Sequence, residues 1–268
     1  MSTTVVDPYA GTPVSSRRQF LHGLNPLSKV AAVAPAMLLL IFVRDLATPA
    51  AFLAFASLVI LVGARLNRRT AALLLLALPL GVLVIGFGFS LWVDAANVDS
   101  TAPVMQLGGW TLYSGAVEIG LATGLRLGAI LALALIGGLT TTGPDLVRAS
   151  VQQLGVPYRI GYTALAAFRF LPRFGHELSV IRAAHRVRGH HGGRGPFARI
   201  ARGWGYIVPL LAGAIRHAER VALAMDSRAF GAHPTRTERH LVPFRARDWI
   251  FIALCLAASA AIFLTLTS

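Results

Sequence analysis

The chain has 268 residues, of which 55% are hydrophobic and only 13% charged, and its formal net charge is +14. A soluble domain carries about 25% charged residues, so the composition excludes an ordinary soluble enzyme and points to an integral membrane protein. The basic residues fall between apolar runs, as membrane topology selection arranges them, which argues against nucleic acid as a partner.

Residues 1–28 are polar, with Pro8, Pro13, Arg17, Arg18 and His22. They lack the apolar core of a cleavable signal and read as a cytoplasmic tail with an interfacial segment. Residues 29–139 are expected to hold four transmembrane helices. The first two flank the interruption from Arg44 to Pro49 and stop before Arg65, Arg68 and Arg69. The third covers 71–93, with Pro79 tolerated inside the bundle and Trp92 at its interfacial end. Residues 94–115, with Asp94, Asp99, Pro103, Gly108 and Gly109 and no lysine or arginine, read as an external loop.

The fourth span, 116–139, carries Ala116, Gly120, Gly124, Gly128 and Ala132 every fourth residue. Small residues at that period let membrane helices approach closely, because association in lipid relies on packing. Gly120, Gly124 and Gly128 are therefore candidate helix-packing positions. Arg126 lies near mid-span, where a charge is costly and indicates a function, a protein partner or a carbonyl within the bundle.

Seventeen of the 25 basic residues fall between Arg148 and Arg247, so residues 140–246 are expected to be cytoplasmic. Residues 247–268 form a last span that leaves the carboxyl end outside and the amino end inside. The fold class is thus all-α: a polytopic membrane protein with about five transmembrane helices and a cytoplasmic pair of long amphipathic helices.

Within 140–246, a short helix to about Leu154 is broken by Gly155-Val156-Pro157. Two long helical runs follow, from Tyr158 to Gly189 and from Pro196 to about Phe230. Leu165, Phe168, Leu171, Phe174, Leu178 and Ile181 recur at steps of three or four in the first. Val208, Leu211, Ile215, Ala218, Ala222 and Met225 form a heptad-like stripe in the second. Phe174, Leu178, Ile181, Leu211, Ile215 and Met225 are the candidate packing residues of this pair.

Each run ends in an arginine beside small residues: Val187-Arg188-Gly189, and Ser227-Arg228-Ala229. Glycine lets a partner backbone approach, and an arginine fork suits a carboxylate. The same residues also suit plain helix termini, where arginine meets the negative dipole end and glycine caps it. Lys29, the single lysine, does not follow glycines with phosphate-loop spacing, so the chain carries no ATP-binding loop of that kind. Cys255 stands alone, without a disulfide or cysteine-metal partner. His185, His190 and His191 lack the acidic neighbours that organise a histidine metal site.

Three stretches carry a family resemblance. Leu24-Asn25-Pro26-Leu27-Ser28-Lys29 resembles an Asp-Pro-Arg-Thr-Lys-like opening segment, departing at Asn25 and Leu27-Ser28. Arg169-Phe170-Leu171-Pro172 resembles an Arg-Phe-Ile/Leu-Pro element. Glu219-Arg220 with Ala224-Met225-Asp226-Ser227-Arg228-Ala229-Phe230-Gly231 is the most specific. In order and spacing the chain resembles the transmembrane T component of energy-coupling factor (ECF) importers.

The resemblance implies two Ala-Arg-Gly motifs on coupling-helix tips, here at residues 187–189 and 227–229, docking on two ABC ATPase subunits. It also implies a small membrane S component that binds a vitamin or transition-metal ion and is reoriented as those ATPases turn over. The chain itself would be a non-catalytic subunit of the cell membrane, with ATP and Mg bound by its partners. A conventional ABC importer permease or a stand-alone secondary transporter is the competing reading. The first has one shorter coupling helix, and the second needs paired ionisable residues within the spans.

Overall fold

The computed structural model describes residues 17–64, 66–93, 103–107, 110–189 and 196–267. The amino-terminal tail before Arg17, Arg65, Asp94, Asp99, Gly108, Gly109, His190, His191 and Gly195 lie outside the described residues. A 3-10 turn, Arg17–Gly23, precedes α1 (Pro26–Phe42), α2 (Ala47–Gly63) and α3 (Arg68–Ser90). Strands β1 (Pro103–Leu107) and β2 (Trp110–Tyr113) lead to α4 (Ser114–Thr140), α5 (Gly143–Gln153), α6 (Tyr158–Val187), α7 (Pro196–Asp226) and α8 (Ala246–Thr267).

The protein is an all-α polytopic membrane protein. Among the described residues, three helices are long and apolar enough to cross a bilayer: Arg68–Ser90, Ser114–Thr140 and Ala246–Leu266. The apolar helices α1 and α2 have 17 residues each, at the short end of the spanning range of about 17–25. The chain divides into two compact units, one reaching to Thr142 and resuming at Val242, the other running Gly143–Leu241.

The hairpin β1–β2 is a departure from the loop expected over 94–115. Its strands pair antiparallel, from Pro103 opposite Tyr113 to Leu107 opposite Trp110, with an irregularity between Pro103 and Met105. Val-Met-Gln-Leu and Trp-Thr-Leu-Tyr around Gly108-Gly109 carry the β-formers and two-residue connection of a hairpin. Polarity and loop length masked that signal.

In the first unit, α1, α2, α4 and α8 share one core, with Ala36 and Leu40 from α1, Phe52 and Ile60 from α2, Leu133 and Ile136 from α4, and Phe251 from α8. α3 packs along α4. A Cβ on Gly120 would lie 2.5 Å from the Gly86 carbonyl oxygen, and one on Gly124 would lie 2.6 Å from that of Val82. At Gly128 it would collide with the Val82 side chain. The stripe of small residues is thus the seam on which the α3 backbone rests. The outer face of α3 exposes Leu73, Leu76, Leu80 and Leu83, as a lipid-facing surface does.

A polar cluster is buried in the same unit. Asn25 caps α1 by accepting from Leu27 N–H at 2.9 Å, and its Nδ2 donates to the Val242 carbonyl at 3.2 Å. Asp248 Oδ1 accepts from the Asn25 N–H at 2.7 Å and faces Ser28 Oγ at 3.1 Å. Its Oδ2 accepts from the Arg245 N–H at 2.7 Å, so an acidic residue in the first turn of α8 reaches back to close that helix end. Lys29, only 1% exposed, donates from Nζ to the Thr140 carbonyl at 2.8 Å and to Thr141 Oγ1 at 3.1 Å. It thereby serves a carbonyl that the end of α4 leaves without an intrahelical donor.

Gly124→Val is expected to lower stability by about 2 kcal/mol or more, since a forced overpacking costs roughly 1–3 kcal/mol and the obstacle is α3 backbone. Thermal unfolding in detergent checks this against Gly137→Ala, where nothing lies within 4 Å of the added Cβ.

Candidate functional site

In the second unit, the first long helix is held by α5. Gly161 of α6 sits against Val151 and Val147, and Gly143 sits against the ring of Phe168. Along the α6–α7 seam the contacts are aromatic and polar. His217 stacks on Phe170 with centroids 4.4 Å apart and planes 9° from parallel. Phe170 meets Phe174 edge-on at 4.3 Å, and His185 meets Tyr206 edge-on at 5.3 Å. Gly213 brings α7 close to Glu177. Burial, then Arg173 and Arg220, lower the His217 pKa, with Glu177 opposing, which favours the neutral ring.

This seam differs from the stripe read in the sequence. Phe174, Leu178, Ile181 and Met225 are half-buried, but Leu211 and Ile215 are 57% and 52% exposed and do not form the seam. The physical reason lies in residue size and shape. Glycine and flat rings allow the helices to meet along Tyr206, Leu210, Gly213 and His217, which leaves the aliphatic face of α7 open. Trp204, Val208, Leu211 and Ile215 form that open face at steps of four, three and four, all exposed.

Each long helix ends in the same backbone geometry. Arg188 is the C-cap of α6, its N–H donating to the Ala184 carbonyl at 3.1 Å, and Gly189 follows at φ +73°. At the end of α7 the Ala229 N–H donates to Asp226 at 2.9 Å and the Phe230 N–H to Met225 at 3.0 Å. These are the paired bonds of a Schellman motif, with Ala229 at φ 52° in the left-handed position. So each arginine stands just past its helix, and the next residue turns left-handed. Gly189 is accounted for by its backbone angle, as the capping reading had it. Val187, Arg188, Gly189, Ser227, Arg228 and Ala229 are all exposed, with Val187 at 89%.

The segment after the second arginine folds back on the start of α6. Tyr158 Oη donates to the His233 carbonyl at 2.6 Å, Arg159 to the Gly231 carbonyl at 2.5 Å, and Tyr162 Oη to Glu238 Oε2 at 2.9 Å. Arg236 lies over the Tyr162 ring at 4.2 Å, and Phe230 meets Tyr158 edge-on at 5.7 Å. This clasp fixes where Arg228 stands relative to α6. It joins residues far apart in sequence, so no local pattern announces it. Burial and the bonded Glu238 raise the Tyr162 pKa above its usual 10.0, with Arg236 and Arg148 opposing.

Elsewhere, Arg126 is partly buried in α4 and its Nε has no hydrogen-bond partner. Among the described residues no group of three or more His, Cys, Asp or Glu is placed to hold a metal ion.

Ala229→Gly is expected to stabilise the second helix end by about 0.5–1 kcal/mol, because an L-residue in the left-handed region costs roughly 1–2 kcal/mol; thermal unfolding measures it. Tyr162→Phe is expected to cost about 1 kcal/mol, the net worth of a typical hydrogen bond. A group whose folded pKa is raised supports the fold fully below its unfolded value and loses that support as pH rises through the folded one. The wild-type clasp therefore weakens above the ordinary tyrosine range, and unfolding measured across alkaline pH should show Tyr162→Phe lacking that increment.

The family described as CbiQ, cobalt transport protein, matches residues 17–239. The chain is 27% identical over 242 residues to the energy-coupling factor transporter transmembrane protein EcfT of Brevibacillus brevis, covering 87% of this chain and 89% of that one. It is 26% identical over 261 residues to the protein of the same name in Staphylococcus aureus, covering 94% and 93%. A Bifidobacterium longum protein named as an ABC transporter ATP-binding protein is 28% identical over 270 residues, where the match takes in 98% of this chain but only 34% of the longer relative. With most of its length inside the family match and its helices arranged around an apolar bundle, the chain belongs to the CbiQ family, the transmembrane T components of energy-coupling factor transporters.

Proposed function

We propose that this chain couples ATP hydrolysis by two partner ABC ATPase subunits to reorientation of a small S component that carries a vitamin or a transition-metal ion into the cell. Arg188 and Arg228 are the points on which the ATPases dock. The observation that carries this reading is the shared geometry of the two helix ends. Each presents an exposed C-cap arginine followed by a left-handed residue, which clears the backbone beside a guanidinium able to grip a carboxylate with two parallel hydrogen bonds.

Two further features agree. The open apolar face of α7, with Trp204, Val208, Leu211 and Ile215 exposed, is the kind of surface that marks an interaction site, and it suits contact with the S component. The longer Bifidobacterium relative bears the name of an ATP-binding protein and holds a segment like this chain, as expected if the two activities work in one assembly. The arginine-rich residues 140–246 and the amino end face the cytoplasm and the carboxyl end faces outward, on the positive-inside rule. ATP and Mg are bound by the ATPases, and this chain does no chemistry itself.

Charge reversal at both tips, Arg188→Glu with Arg228→Glu, tests the docking. Retention of the ATPase subunits on the detergent-solubilised protein should fall on the order of 100-fold or more, since losing a buried charged pair costs about 2–5 kcal/mol or more, while its thermal unfolding stays unchanged. Full retention by the folded double variant defeats the assignment.

A further inference from the structure

The chain leaves the first unit after Thr142 and returns at Val242. Both crossings are tied to a single turn at the start of α1. On the outgoing side, Lys29 Nζ holds the Thr140 carbonyl at 2.8 Å and Thr141 Oγ1 at 3.1 Å. On the returning side, Asn25 Nδ2 holds the Val242 carbonyl at 3.2 Å, and Asp248 links the Arg245 N–H to the Asn25 N–H at 2.7 Å each. Lys29 and Asp248 are 1% and 2% exposed. Charged groups buried so deeply are costly unless their hydrogen bonds are made, so these bonds resist being broken one at a time.

We propose that Asn25, Lys29 and Asp248 are the positioning residues through which movement of residues 143–241 is delivered to the membrane helices. A displacement at either crossing loads the first turn of α1. From there it reaches the core through Ala32, Ala36 and Leu40 on the same helix. A side chain that only filled space would transmit little. Directional hydrogen bonds between buried groups hold both distance and orientation, which makes the turn a rigid link. The inference rests on the coupling role proposed above, and adds to it the residues that carry the motion across.

The test is hydrogen–deuterium exchange by mass spectrometry on the full chain in complex with its ATPase subunits, with and without a non-hydrolysable ATP analogue. In wild type the analogue should change exchange both in 143–241 and in α1 and the first turn of α8. Lys29→Met and Asp248→Asn should keep the ATPases and the change in 143–241, while the change in α1 and α8 falls about tenfold, within the usual range of coupling between sites. Lys29→Arg, which keeps the donors, should restore it. Undiminished propagation in both variants overturns the inference. So does a wild type whose analogue-dependent change stops within 143–241, or loss of the folded bundle in both variants, which would make the cluster a requirement of the fold alone. A wild-type complex that assembles but shows no change in 143–241 contradicts the proposed coupling function itself, and is thereby distinguishable from failure of this inference.

Discussion

The first turn of α1 is the constraint on which the membrane unit depends. Helix ends buried in a bundle leave backbone groups that lipid cannot satisfy, and three ends meet there. Asn25 caps α1, Lys29 serves the last turn of α4, and Asp248 closes the start of α8 while accepting the Asn25 N–H. A single polar turn thus resolves three helix termini. The apolar core holds the helices together, and the polar turn sets where along their lengths they stop.

Much of this architecture was legible in the chain itself, because hydropathy and arginine placement are strong and local. The small-residue repeat at Gly120, Gly124 and Gly128 marks a close approach, since little else requires that period; the face it meets, formed by Gly86 and Val82, is not written beside it. Asp248 carries no such local signal. Its partners Asn25 and Ser28 lie at the other end of the sequence, and an acidic residue early in a helix reads as an ordinary terminus. In sequence, Asn25 is a departure from the aspartate of the family's opening segment. The structure shows its amide donating to Val242, a bond that an aspartate's carboxylate is not equipped to make. The α6–α7 seam departs from the sequence pattern for a different reason. Choosing the greasiest stripe assumes that aliphatic residues face the nearest helix, whereas Leu211 and Ile215 face away and His217 packs flat on Phe170.

The two arginine-bearing ends reach one geometry from different residues. Gly189 adopts its left-handed angle freely, and Ala229 adopts a similar one under the paired Schellman bonds and the clasp around Phe230. Backbone hydrogen bonding and tertiary support substitute for the missing glycine. The two ends are related by backbone angle rather than by residue identity, with a left-handed residue after each arginine.

The seam between α6 and α7 has a mechanical corollary. Gly161 is the sole fully enclosed residue of α6, and the rest of that helix is at least partly open. Interdigitated cores resist shear because every step must tear open a void. Rings lying flat or edge-on, with Gly213 for clearance, present no such teeth. Such contacts give way to sliding at lower cost than an interlocked aliphatic core does.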